Sequence, residues 1–124
     1  MIQLINVLLR DQLGISYTWN TKQHEYYPTH NSKSKVVHTV HWRLLATDSD
    51  KDSDGNNYTA EVYGSCALDT SDLSSFTAYG SVDATKTQAW VEATLGSTEV
   101  ASLKSGLDAN IAEQKSPTSV SASF

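Results

Sequence analysis

The stretch Val36-Val37-His38-Thr39-Val40-His41-Trp42-Arg43-Leu44-Leu45-Ala46-Thr47 decides the fold. Val36, Val40, Trp42, Leu44 and Ala46 fall on one side of an extended chain, and Thr39, His41, Arg43 and Thr47 on the other. Such period-two alternation marks a strand with one buried face. A second run, Tyr58 to Leu68, repeats the pattern with Tyr58, Ala60, Val62 and Cys66 on one side. Only the polar connection Asp48 to Asn57 separates the two, so they read as an antiparallel hairpin. Gly64 within the second run signals a bulge or a close backbone approach.

Upstream, Ile15 to Asn20 reads as a short strand, with Tyr17 and Trp19 on one side. Thr21 to Lys35 is polar, contains Pro28 and Asn31, and reads as a long loop. Downstream, Asp69 to Gly80 reads as a second loop. Ala84 to Leu95 then takes helical periodicity, with Ser81 or Asp83 as the capping residue and Gly96 past its end. Val100, Leu103, Leu107 and Ile111 form the stripe of a last helix over 98–115, which Pro117 stops. The expected fold is therefore α+β: a small antiparallel sheet of about three strands followed by two C-terminal helices packed on it. Trp19, Trp42 and Trp90 each lie on the apolar side of their element and are expected to anchor the core.

The chain of 124 residues is of single-domain size. Residues 1–14 read as an apolar N-terminal segment, 15–117 as one domain and 118–124 as a polar tail. In the first segment Ile2, Ile5, Leu9 and Leu13 share one helical face. That face suits either packing on the domain or an assembly arm between subunits of a homo-oligomer. The apolar run Ile2 to Leu9 is far below the roughly 20 residues that span a bilayer. Its basic residue, Arg10, follows the run instead of preceding it, unlike a signal peptide.

Residues 1–60 hold six acids and six bases, so the whole formal charge of −5 lies in residues 61–124. With no basic stripe, nucleic acid and anionic membranes are not expected partners. The lone Cys66 excludes an internal disulfide and reads as a small buried residue.

One motif is sharp. Asp50-Lys51-Asp52-Ser53-Asp54-Gly55, with Glu61 at the twelfth position, matches the calcium-loop pattern in full. Asp50, Asp52, Asp54, Asn56 and Glu61 are its candidate ligands, hard oxygens at alternating positions around a glycine turn. Both flanks read as strands where the calcium motif needs helices, so a solvated acidic hairpin tip is the alternative. Mutual repulsion of the carboxylates in so short a turn favours a cation residing there. No histidine spacing matches a metal site, and His38 and His41 have opposite parity on their strand. No nucleophile elbow, P-loop or dinucleotide motif occurs, and no serine stands beside an evident base. No catalytic constellation and no cofactor other than calcium is expected.

Thr39-Val40-His41-Trp42, Tyr58 to Gly64, Phe76-Thr77-Ala78-Tyr79, Trp90-Val91-Glu92, Leu95-Gly96 and Ala112-Glu113-Gln114-Lys115-Ser116-Pro117 follow one another in order. In these residues the chain resembles a group of small proteins of tailed bacteriophages, including phages of marine cyanobacteria. The resemblance spans roughly residues 36–117 and rests on packing motifs. It implies phage origin and no particular activity. The longer acidic tip, the apolar N-terminal extension and the final Phe124 depart from that group. The resulting expectation is a non-enzymatic structural or accessory protein of the virion, touching other phage structural proteins or itself. The alternative is a soluble phage-encoded protein that binds a host protein in the host cytoplasm.

Overall fold

A computed structural model describes residues 14–124. The candidate interface residues Ile2, Ile5, Leu9 and Leu13 lie outside the described residues. The elements, in order, are β1 (Ile15–Asn20), β2 (His24–His30), β3 (Lys33–Lys51), β4 (Asn57–Ala67), a short 3-10 turn (Tyr79–Ser81), α1 (Ala84–Leu95) and α2 (Ser97–Lys115). The sheet has four strands, with β1, β2 and β4 all pairing to the long β3. Two C-terminal helices follow it, so the α+β expectation holds.

The fourth strand lies where the sequence reads as a loop. His24-Glu25-Tyr26-Tyr27-Pro28-Thr29-His30 pairs antiparallel to β3, from His24 opposite Val40 to His30 opposite Lys33. The connection is the two-residue turn Asn31-Ser32, with φ of 49° and 65°. Positive φ at both central residues is the turn geometry that matches the twist of a hairpin. Pro28 is accommodated because the ladder steps from the Tyr27–Val36 pair to the Thr29–Ser34 pair. Lys35, the residue passed over on the other strand, takes φ of 52°. A second irregularity falls between Glu25 and Tyr26, whose partners are Thr39 and Val37. His38 is thus an extra residue on β3, a bulge that breaks strict alternation. It brings Val37 into phase with Val40, and both are buried.

The strong strand also runs further than its apolar pattern, through Asp48 to Lys51. Asp48, expected at the start of an exposed turn, is fully buried. Each helix agrees with its expected limits to within a residue. Asp83 caps α1 by accepting from the Lys86 N–H. Gly96 ends α1 at φ 85° and its carbonyl accepts the first bond of α2, from Val100.

The described residues divide into two compact units. The first comprises residues 14–18, 45–62 and 102–124. Its buried apolar residues are Ala46, Ala60, Leu107 and Ile111. Tyr17 donates its hydroxyl to Asp108, and Lys104 lies over the Tyr17 ring. Gln114 donates to the Thr59 carbonyl.

The second unit comprises Trp19–Leu44 and Tyr63–Ala101. Its core is Val36, Val37, Val40, Trp42, Leu44, Cys66 and Val91, joined by the buried polar pair Thr21 and Thr87. The hydroxyls of that pair lie 2.9 Å apart, and Thr21 also reaches the Ala84 carbonyl, which fastens the start of α1 to the chain leaving β1. Trp19 meets Trp42 edge-on at 5.7 Å. Gly64 makes the close approach its position signals: a Cβ there would stand 2.7 Å from the Trp42 ring.

Candidate functional site

The acidic tip in the first unit puts two of its carboxylates to separate uses. Asp50 sits at the end of β3, where its Oδ2 receives the Lys115 ammonium at 2.8 Å. Asp52 turns inward and accepts the backbone N–H groups of Asp54 and Asn56. The Asn56 carbonyl in turn accepts from the Asp52 N–H, which closes a tight five-residue tip around Gly55 at φ 83°. Glu61 lies on β4, four residues past its start at Asn57. At ~3.3 Å per residue that is about 13 Å along the strand. Among the described residues no group of three or more histidine, cysteine or acidic side chains is placed to hold a metal ion. The five candidate ligands are therefore not brought together.

The cation that the repulsion argument calls for is Lys115. Its ammonium, at the end of α2, contacts Asp48 and Asp50 together. Burial pushes the Asp48 carboxyl upward. The Lys115 ammonium and the N–H groups of Asp50 and Ser49 outweigh it and hold the group below the usual carboxylate range. Hydrogen bonds to Asp48 first, and then to Asp50, raise the Lys115 ammonium in return. The sequence puts Lys115 in the last helical turn, where a cation suits the helix dipole. It carries no sign that Asp48 is the partner, because the two stand 67 positions apart.

In the second unit an apolar cleft of about 270 Å³ opens between β3, the loop after β4 and α1. Val36, Val37, Leu68, Phe76 and Trp90 supply its apolar walls, and Asp69 and Asp72 stand at its rim. The loop is ordered by its own side chains. Asp69 accepts from the Ser71 hydroxyl and N–H, at 2.6 and 2.9 Å, and Asp72 accepts from the Ser74 N–H at 3.0 Å. The Ser71 and Ser74 bonds lower both carboxyls from their ordinary value, so the rim is anionic at neutral pH. Trp90 is only half-buried. The expectation that all three tryptophans anchor the core is thus corrected: Trp42 is buried, while Trp90 presents part of its ring to the cleft. Helical periodicity assigns Trp90 to the inner face of α1 but cannot show that the loop opposite leaves a gap.

The four histidines make contacts with neighbouring strands and with the chain after β4, all in this unit. His24 meets the Tyr79 hydroxyl at 2.8 Å. Tyr27 stacks between His30 and His38, at 5.0 and 4.2 Å. His41 bridges Ser65 through Nδ1 and Glu25 through Nε2, both at 2.8 Å. A serine does therefore stand beside a base and a carboxylate, which spacing along the chain could not reveal. The carboxylate is 57% exposed and the serine is exposed, so water is not excluded from the chain of bonds.

These features define a small α+β domain with a preformed apolar cleft of acidic rim. The chain belongs to DUF7936, a family of domains of unknown function, whose model matches residues 14–123. No curated protein and no solved structure matches it.

Proposed function

We propose that the domain is a non-enzymatic, protein-binding module whose recognition site is the cleft under Trp90. One observation carries this reading: a half-buried tryptophan and Phe76 line a cleft whose rim carboxylates are pinned by Ser71 and Ser74. Aromatic side chains at partly exposed, concave positions are the usual anchors of binding surfaces. The occupant that complements this cleft is a peptide segment with an apolar side chain beside lysine or arginine. The apolar group replaces water on Val36, Val37 and Trp90, and the cation meets Asp69 and Asp72. The acidic balance of residues 61–124 favours the same partner at long range.

Selection of peptides from a displayed random library on the purified protein tests the site. The expected consensus is an apolar residue next to a basic one. Trp90→Ala should weaken the selected peptide by about tenfold or more, in keeping with loss of an anchor residue. Asp69→Asn with Asp72→Asn should remove the salt dependence. Selection of acidic peptides, or binding unaffected by either change, would overturn the reading.

The resemblance to phage proteins supports a virion as the setting, with other particle proteins or a second copy of the chain as partner. Mass spectrometry of purified particles checks this. Stoichiometric presence supports the virion, and absence leaves binding of a host protein in the infected cell.

A further inference from the structure

The second unit holds another cavity, different in chemistry from the cleft. It has a volume of about 420 Å³, within the range of small-molecule sites. The end of β1, the β1–β2 connection, β3 and β4 line it.

Its polar groups both give and take hydrogen bonds. Asn20 spends its carbonyl oxygen on the Lys22 backbone N–H at 3.2 Å, which leaves its amide N–H₂ to donate. Ser65 does the opposite. The Glu25 carboxylate can only accept, so its 2.8 Å contact puts the hydrogen on His41 Nε2. In the neutral ring Nδ1 then accepts, and the Ser65 hydroxyl donates to it at 2.8 Å. The lone pairs of the Ser65 oxygen are left to accept from a ligand. Gln23 adds an amide with both capacities. The charges of Glu25 and Arg43 are already engaged, by His41 and over the Tyr63 ring respectively. This cavity is therefore suited to a polar ligand and makes no demand for a charged one.

A second observation is independent of these bonds. Tyr63 lines the same cavity, yet 72% of its surface is exposed. The Arg43 guanidinium lies 5.3 Å from the ring centroid, a cation–π contact that holds the ring in place. An aromatic ring held in water beside a polar cavity offers a flat apolar platform next to hydrogen-bonding groups.

From this combination we infer that the cavity is a binding site for a neutral pyranose sugar. Such a ring is amphipathic: C–H groups form an apolar patch on one face, and hydroxyls project from its rim. The C–H patch lies against Tyr63 and releases water from it. Each hydroxyl both donates and accepts, so the sugar uses the Asn20 amide, the Gln23 amide and the Ser65 oxygen together. An anion would use the donors alone and a cation the acceptors alone.

Backbone amide signals of the 15N-labelled full chain provide the test. They are titrated with glucose, galactose, mannose and N-acetylglucosamine, and separately with sodium phosphate and sodium chloride. The expected result is a saturable shift of signals from residues 20–23 and 63–65 with at least one of the four sugars, and no saturable shift there with either salt. Tyr63→Ala, at a largely exposed side chain, should weaken sugar binding by about tenfold or more, the scale of losing an aromatic anchor. Tyr63→Phe keeps the platform and should retain binding. Ser65→Ala removes the acceptor and should weaken binding by about threefold to tenfold; it serves alone if Tyr63→Ala disturbs signals away from the cavity. Trp90→Ala should leave sugar binding unchanged, so this site and the peptide cleft stand or fall separately. Signals unmoved by all four sugars, moved equally by chloride or saturably by phosphate instead, or a sugar affinity unchanged in both Tyr63→Ala and Ser65→Ala, would overturn the proposal.

Discussion

Replacing Lys115 by methionine should destabilise the protein far more than its position on a helix end implies. The substitution keeps most of the side-chain volume and removes the charge. Asp48 then remains fully buried, and among the described residues its Oδ2 has no donor other than the Lys115 ammonium. Breaking a buried ion pair from one side costs about 3–5 kcal/mol, because the remaining charge is left without compensation. Two facts reduce that figure here. The Lys115 side chain is 26% exposed, so part of its charge is already screened. The other Asp48 oxygen keeps the Asp50 N–H at 3.0 Å. A loss of about 2–3 kcal/mol follows, which for a domain of this size lowers Tm by roughly 6–12 °C. Denaturant and thermal melts near pH 7 check it. The companion Asp50→Asn should cost under about 1 kcal/mol, because Asp50 is mostly exposed. A Lys115→Met loss under about 1 kcal/mol, or an Asp50→Asn loss equal to it, would refute the claim that Asp48 is the buried partner that matters.

The same pair sets the pH response. The folded Asp48 carboxyl lies below its ordinary value of 3.8, so its contribution is complete above that value and is lost as pH falls through the folded pKa. The folded Lys115 ammonium lies above 10.5, so its contribution is complete below that value and is lost as pH rises through the folded pKa. Melts should be flat with respect to this pair between the two windows, and acid sensitivity from Asp48 should be smaller in Lys115→Met. Gly64→Ala should cost about 1–3 kcal/mol, since its methyl would overlap the Trp42 ring at 2.7 Å; a neutral change in urea melts would show that the indole can yield. Trp90→Ala should cost less than about 2 kcal/mol, below the range for fully buried aromatics, while it weakens peptide binding at the cleft by about tenfold or more; a larger loss of stability would return Trp90 to the core. Calcium at millimolar concentration should leave Tm unchanged, because Asp50 is engaged by Lys115 and Asp52 by the tip backbone; a saturable rise would show that the tip rearranges around the ion.

The parts of the fold that were legible in the sequence are those in which side-chain period and burial agree. Val40, Trp42, Leu44 and Ala46 alternate along β3 and are all buried, and Leu107 and Ile111 continue their stripe into a buried helix face. β2 was illegible because it buries almost nothing: its five central residues are exposed, so no alternation marks them. Backbone pairing and the stacking of Tyr27 on His38 hold it instead. Asp48 was misread for the opposite reason. Its charge suggested a turn, whereas its parity continues that of Leu44 and Ala46, and a lysine far along the chain lets that parity prevail. Of the candidate sites, the acidic pattern was visible and its partner was not, since Lys115 closes on it through tertiary structure alone. The cleft and the polar cavity were invisible for the same reason, because both depend on loops whose courses no local pattern sets.

The bulge at His38 accounts for how one strand of the second unit serves two cavities of opposite character. Without it, β3 would present one residue in two to each face from end to end. With it, Val37 comes into phase with Val40 and is buried, and it lines the apolar cleft beside Val36. Beyond it, alternation resumes, so that Trp42 is buried while His41 and Arg43 carry their polar groups on the opposite parity. The polar cavity draws on all three of these residues because the chain opposite leaves the ladder there. β1 ends at Asn20, β2 begins at His24, and Lys22 and Gln23 belong to neither strand. The donation from His41 N–H to the Gln23 carbonyl marks where pairing resumes. Lys22 and Gln23 of that connection line the same cavity as Trp42. An insertion or deletion in 21–23 would move Lys22 and Gln23 relative to Trp42 while leaving the Val36–Val37 wall in place, so the two cavities can change independently on one strand.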